Sequence, residues 1–325
     1  MTAMHVTFGI IARNGMPFIG DCLEALPAAR TVADSSEVIL VDCISDDGTT
    51  EAMQDYAASA PRVQLYRIDG EANAAVARNV ILANTATGAL LLLDGDIVAN
   101  PGFIAAAIAL VQEGRADAVV GDLSEVQHDA EMRPLRHIER RFAVEREGLV
   151  RISGGTIFLA PQVVAAGLRY DERFRRNQDR DFALRLSSEF RLLQVTESMG
   201  CHLTQAYLHP SRIGRFFREA YPRPLGQLLR KHWRHPGRLA AVLRKETGMV
   251  VGSLYLLLLA GSLLAGLFWL TGLVGAAVLV DVLRFARQRR LNEFLPLRLF
   301  TPLFVLRGLL GPAEPVPQYR VTRLH

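Results

Sequence analysis

A chain of 325 residues, half of them hydrophobic, is long enough for one large domain or two with a substantial core. Its three cysteines, Cys22, Cys43 and Cys201, are too few and too far apart for a disulfide framework or a Cys-x-x-Cys zinc site, which suits a reducing compartment. The formal charge of +4 hides a division: residues 1–200 carry 19 basic and 28 acidic side chains, whereas residues 201–325 carry 18 and 5.

An acidic module is therefore followed by a basic, apolar one. Basic clusters that flank a long apolar run fit an anionic lipid surface better than nucleic acid, and no nucleic-acid partner is expected. The segment from Met1 to Ile11 lacks a basic region ahead of a long apolar core, so no cleaved signal peptide is expected and the first module is assigned to the cytosol.

In chain order, apolar runs predict strands at Val6–Ile11, Glu37–Val41, Val63–Tyr66 and Ala89–Leu93, with helices between them at Phe18–Ala29, Thr49–Ala58 and Ala72–Ala83. Alternation of this kind predicts an α/β fold with a doubly wound, mainly parallel sheet and right-handed crossovers. Pro101 fits the first turn of a helix running to about Val111, and Ala118–Leu123 is a fifth strand. The charged, Arg-rich stretch Ser124–Arg151 reads as a surface helix over the active face. Ile157–Ala160 reads as a strand, Pro161 as a helix start, and Arg175–Leu186 as a loop entering a helix.

Beyond Cys201 the chain changes character. Residues 206–248 form a basic segment with interleaved aromatics (Phe216, Phe217, Tyr221, Trp233), predicted as short amphipathic helices at an interface. Met249–Val280 contains 32 residues without a charge, long for one bilayer crossing and short for two. Basic clusters on both sides favour a hairpin or re-entrant pair over 249–282, broken near Gly272, because one crossing would put a cluster on the wrong side. A buried hairpin in a soluble core is the alternative. Residues 283–325 are expected to form a basic interfacial helix, Phe294–Leu310, and a tail.

The most informative stretch is Leu90-Leu91-Leu92-Leu93-Asp94-Gly95-Asp96, a buried strand with two carboxylates at its C-terminal tip. Ligands of open α/β sheets bind beyond the carboxyl ends of strands. Oxygen donors there suit Mg²⁺ or Mn²⁺ shared with substrate phosphates; a solvated Asp-Gly-Asp turn is the plainer reading. Asp42 ends the second strand, where it can accept a hydrogen bond from a base or a ribose, and Asp46 and Asp47 read as capping residues of the next helix. Arg78 can reach a base or phosphate, or make a salt bridge. Asp179 reads as a proton acceptor or as a helix cap.

The order of Ile-Ile-Ala-Arg-Asn, Asp-x-x-Ser-x-Asp-Gly-Thr, Ala77-Arg78-Asn79, Asp94-Gly95-Asp96, Gly154-Gly155-Thr156, Tyr170-Asp171-Glu172 and Asn177-Gln178-Asp179-Arg180-Asp181 resembles a family 2 glycosyltransferase of the GT-A fold over roughly residues 5–200. The resemblance implies a catalytic domain over residues 1–205 that uses a nucleotide-sugar donor, usually a UDP-sugar. It implies donor contacts at Ala12, Asp42, Arg78, Asp94 and Gly95. It implies Asp96, with Asp94, as ligands of Mg²⁺ or Mn²⁺, and Asp179 as general base. Gly154, Gly155, Thr156 and Gln178 then line the acceptor and donor sugar.

His202 and His209 follow the catalytic domain, where related enzymes place a further metal or phosphate contact. The sequence departs from the pattern at Gln178 (usually Glu), Cys43 (usually Asp) and Ala12 (often Thr). The reading is an inverting transferase on the cytoplasmic face of the inner membrane. Its acceptor is expected to be lipid-linked or a glycan, as in exopolysaccharide or cell-envelope assembly, and its partners include membrane lipids. The alternatives are a processive polysaccharide synthase, for which Gln227-Leu228-Leu229-Arg230 is a near match to a known motif, and a nucleotide-sugar-binding protein without turnover.

Overall fold

The computed structural model describes residues 3–205, 223–287, 298 and 300–325, which divide into two compact units, residues 1–209 with 314–325, and residues 210–313. The first unit follows the expected alternation: β1 (His5–Ala12), α1 (Phe18–Arg30), β2 (Ser35–Asp42), α2 (Thr49–Ser59), β3 (Val63–Gly70), α3 (Ala74–Asn84), β4 (Ala89–Asp94), β5 (Ile97–Ala99) and α4 (Pro101–Gln112). The order β3-β2-β1-β4 is parallel throughout. Val38–Val41 and Leu90–Leu93 are buried on both faces, which is why they read as unbroken apolar runs. Asn73 and Asn100 cap α3 and α4 by accepting backbone N–H bonds, so each crossover helix has a defined start.

The chain reverses direction across the sheet between β1 and β4. The carboxyl ends of these strands, with that of β2, therefore open a crevice that receives ligands in folds of this type. The sheet then becomes mixed. β6 (Ala118–His128) and β10 (Leu192–Gln205) are parallel, and β9 (Ile157–Leu159) runs antiparallel between β4 and β6. α5 (Pro161–Ala165) and α6 (Gln178–Leu186) follow β9, and β8 (Gly148–Leu149) pairs with β10.

The predicted helix over Ser124–Arg151 is not formed. The chain continues as β6 to His128, turns, and pairs back as β7 (Pro134–Ile138) before entering irregular structure. Alternation, not a helical period, governs the start of this stretch: Leu123 and Glu125 face inward while Ser124 and Val126 are half-buried. Pro134 and a turn at Asp129–Arg133 complete the reversal.

The C-terminal residues belong to the first unit. β11 (Tyr319–Arg323) lies antiparallel on β3, with Tyr319 opposite Gly70 and Arg323 opposite Tyr66. The span 283–325, expected as one interfacial helix and tail, is thus divided between the two units.

The second unit is helical: α7 (Arg223–His232), α8 (Pro236–Lys245), α9 (Thr247–Leu264), α10 (Phe268–Arg287) and α11 (Thr301–Leu310). α9 and α10 are long and apolar enough to cross a membrane. Their break falls at Ala265–Leu267, with Gly266 at φ +67°, rather than near Gly272; a left-handed residue ends α9 as glycine commonly does. Leu257, Leu264, Phe268 and Trp269 are exposed, unlike the side chains of a buried core hairpin. Ser262 and Thr271 join the two helices through their hydroxyls at 2.7 Å. Arg230, part of the near match to the processive motif, donates to the carbonyls of Leu309 and Gly311 and so caps α11. His209, Phe216, Phe217, Tyr221 and residues 294–297 lie outside the described residues.

Candidate active site

Several of the sequence-predicted residues lie together: Ala12 with Asp42, and Arg78 with Asp94 and Gly155. Ala12 and Asp42 are register partners at the ends of β1 and β2, and Cys43 N–H donates to Ala12 O at 2.9 Å. Asp42 is fully buried. Its Oδ2 accepts from Thr50 Oγ1 at 2.9 Å and from Ser45 N–H at 3.3 Å, while Oδ1 has no partner among the described residues. A buried acceptor without a donor is costly, by about 1–3 kcal/mol, which a ligand N–H or hydroxyl would relieve. Burial first, and then the charge of Asp42, push the neighbouring Cys43 thiol up to about 12, so it is an inert apolar filler. The N-cap position of α2 is Gly48 rather than Asp46 or Asp47; Asp47, one residue earlier, accepts from Thr49 N–H and from Thr49 Oγ1 in the first turn.

Arg78 projects from α3 and is almost wholly buried. Its Nη2 donates to Asp94 Oδ1 at 2.5 Å, so the salt-bridge reading of this residue is realised. Nη1 has no partner among the described residues, a buried cationic donor of the kind that suits an anion. Burial, and behind it the carboxylates of Asp96 and Asp179, raise the pKa of Asp94 despite the opposing pull of Arg78. Gly155 lies directly on this pair: a Cβ there would overlap Arg78 Nη2 and come within 2.8 Å of Asp94 Oδ2. Only glycine leaves room for the loop to approach so closely. Thr156 is buried beside it, and Gly154 faces open space.

Gly95 N–H donates to Ile11 O at 2.8 Å and turns the chain so that Asp96 faces the crevice from the other side. Asp96 Oδ2 is 3.2 Å from His202 Nε2, and His202 Nδ1 is 3.0 Å from Glu125 Oε2. Arg141 reaches both His202 and Glu125, at 2.9 and 3.0 Å. Burial of His202 disfavours its cation, but the hydrogen bond and charge of Asp96, with the bond to Glu125, outweigh this and raise its pKa.

Asp179 is in the first turn of α6, after Asn177 in the left-handed region at φ +61°. Its Oδ1 accepts from Arg180 N–H at 2.8 Å, and its charge acts on Arg78, Asp94 and Tyr170. Asp94 thus feels the charges of both Asp96 and Asp179. Gln178 Oε1 is buried without a partner among the described residues.

The donors fit a divalent cation of the hard, oxygen-preferring kind. Among the described residues no group of three or more His, Cys, Asp and Glu side chains is placed to hold a metal ion. Asp94 and Asp96 offer carboxylate oxygens, the donor type that Mg²⁺ or Mn²⁺ takes together with substrate phosphates.

Sequence reasoning missed Glu125 and Arg141, which hold His202, and assigned no role to Glu172. The alternation within Leu123-Ser124-Glu125-Val126 signals an inward-facing acid at 125. Nothing in the sequence connects residue 141 to residue 202.

Several solved structures share this fold. A mannosyltransferase, PcManGT from Pyrobaculum calidifontis in complex with GDP-Man and Mn²⁺, is 16% identical and superposes with a TM-score of 0.59, covering 95% of this chain and 88% of its own. TarS 1–349 of S. aureus in complex with UDP-GlcNAc is 17% identical with a TM-score of 0.51, covering 90% and 89%. GalNAc-T7 with UDP, GalNAc and Mn²⁺ is 12% identical with a TM-score of 0.51, covering 70% and 48%. No curated protein matches the chain by sequence. Residues 7–171, more than half of the chain, match the profile of Glycosyl transferase family 2, and the chain belongs to that family.

Proposed function

We propose that this glycosyltransferase inverts the anomeric configuration of a sugar taken from a nucleotide-diphosphate donor, a UDP-sugar being the first expectation. What supports the reading is the contact among Arg78, Asp94 and Gly155 at the carboxyl end of β4, together with two buried atoms that have no partner among the described residues, Asp42 Oδ1 and Arg78 Nη1. Asp42 would accept from the base, and Arg78 would donate to the donor through Nη1 while holding Asp94 through Nη2. Asp96 and Asp94 would hold Mg²⁺ or Mn²⁺, whose charge offsets that of the departing nucleoside diphosphate. Asp179 would take the proton of the acceptor hydroxyl as that oxygen attacks the anomeric carbon opposite the leaving group. Gly154–Thr156 and Gln178 would border the sugar.

α9 and α10 support attachment to a bilayer, with the catalytic unit at the cytoplasmic face and a lipid-linked or glycan acceptor within reach. The bound donors of TarS, UDP-GlcNAc, and of PcManGT, GDP-Man with Mn²⁺, are the first to try. Detergent-purified protein should be screened with nucleotide sugars and Mg²⁺ or Mn²⁺ for binding and transfer. Asp96→Asn and Asp179→Asn should abolish transfer while leaving the melting temperature unchanged, and Asp179→Asn should still bind nucleotide. Full turnover in Asp179→Asn would remove it as the base.

A further inference from the structure

Arg78 on α3 and Asp179 on α6 belong to helices far apart in sequence that touch directly, and the short segment Tyr170–Glu172 bridges them as well. Asn79, next to Arg78, exchanges hydrogen bonds with Tyr170: its Nδ2 donates to Tyr170 O at 2.9 Å, and Tyr170 N–H donates to its Oδ1 at 2.8 Å. The Tyr170 ring stacks on Phe182 of α6 at 4.1 Å with an interplanar angle of 6°, and the Arg78 guanidinium lies 5.5 Å from the ring centroid. Glu172 fastens this segment. Its Oε1 accepts from Asn79 Nδ2 at 2.8 Å, and its backbone carbonyl accepts from Asn73 Nδ2, the N-cap of α3, at 2.8 Å. The same Oε1 accepts from the Tyr319 hydroxyl of β11 at 3.0 Å.

We propose that Glu172 is a positioning residue for sugar transfer, clamped by Tyr319 of the C-terminal strand, and that through it β11 fixes the spacing between Arg78 and Asp179. The clamp lies away from the reacting atoms, in an open groove of about 620 Å³ whose lining includes Asn79, Arg169, Glu172 and Tyr319. Burial, and after it the bond to Glu172, raise the Tyr319 phenol pKa, so it stays a donor across the physiological range. Because the groove is open to water, the phenol bond should contribute modestly, whereas the carboxylate holds two partners, Asn79 and Tyr319, and its loss unfastens the segment from β11 and loosens its hold on α3.

The inference rests on Asp179 being the base, and the test separates the two ideas. Full-length Glu172→Ala, Glu172→Gln and Tyr319→Phe are compared in detergent by hydrogen–deuterium exchange and by transfer from the nucleotide sugar selected in the screen. Glu172→Ala should raise exchange about tenfold or more in residues 74–79 and 178–182 while β1, β2 and β4 stay protected. It should also lower kcat about tenfold with donor KM within threefold, since small misplacements of reacting groups are costly. Glu172→Gln keeps an oxygen that accepts both bonds and should stay within twofold of wild type, and Tyr319→Phe should lose about threefold in kcat. Unchanged exchange in Glu172→Ala, a rise spread over the whole sheet, or equal damage from Gln and Ala would overturn the proposal. Asp179→Asn, run alongside, fails or passes on its own: full transfer there would defeat the base assignment without altering the exchange result.

Discussion

Asp94 and Arg78 are joined at 2.5 Å, and Gly155 backs onto the pair so closely that a Cβ there would meet both. A strand tip, a helix and a loop thereby meet at one ion pair, and the pair cannot shift without moving the others.

Gly155→Ala tests this contact directly. A methyl group at that position overlaps the guanidinium, so the pair or the loop must move. Transfer should fall at least tenfold, with the loss appearing mainly in donor KM, while circular dichroism and melting temperature change little. An alanine variant with wild-type kinetics would show that the close approach is irrelevant to catalysis.

Arg78→Met removes a buried donor to an anionic ligand while keeping much of its length. Hydrogen bonds to charged groups contribute about 1.5–3 kcal/mol, so affinity for UDP should drop roughly tenfold to a hundredfold. Calorimetric titration with UDP and Mn²⁺ measures it, and the loss should shrink in a variant that also lacks Asp94.

Asp117 gives a pH signature remote from the site. Hydrogen bonds from the Arg191 side chain, and then from its backbone and from Gln162, hold the Asp117 carboxyl at about 2, below its ordinary 3.8. A group depressed in the folded state adds stability above its unfolded pKa and loses it as pH falls through the folded value. The contribution, about 1 kcal/mol after allowing for an arginine half exposed to solvent, should be complete above pH 4 and vanish toward pH 2. Asp117→Asn should therefore melt lower than wild type at pH 7 and converge with it near pH 2.

The bilayer reading has its own probe. Leu257 lies in the middle of α9 and is 70% exposed. Leu257→Arg should cost about 2.5–3.5 kcal/mol of insertion free energy and shift protein out of the membrane fraction, whereas Leu257→Ala should stay. Equal fractionation of both variants would argue that α9 does not enter lipid.

Most of the first unit was legible because its rules are local. Leu90–Leu93 is apolar since both faces are covered, and Pro101 and Asn100 announce α4. The carboxylates at 42, 94 and 96 stand out as candidates because ligands of open α/β sheets bind beyond the strand tips. Ser124–Arg151 failed because its charges suggested a solvated helix, while the period of two at Leu123–Val126 was too short to be heard over them. The break at Gly266 was misplaced because several glycines in an apolar run fit equally well. β11 was invisible for a different reason: Tyr319–Arg323 is polar and short, and its partner β3 lies some 250 residues earlier. The His202–Glu125–Arg141 cluster is equally a product of tertiary folding, since no sequence spacing relates its members.

The return of the C-terminal strand to β3 has a practical consequence for anyone dissecting this enzyme. A fragment stopped at residue 205 would leave a whole row of β3 amides and carbonyls bare, an invitation to pair with neighbouring molecules. Splicing residue 205 to residue 314 through a flexible linker, so that the helical part is excised and the last strand is kept, is the shorter form expected to keep that edge covered.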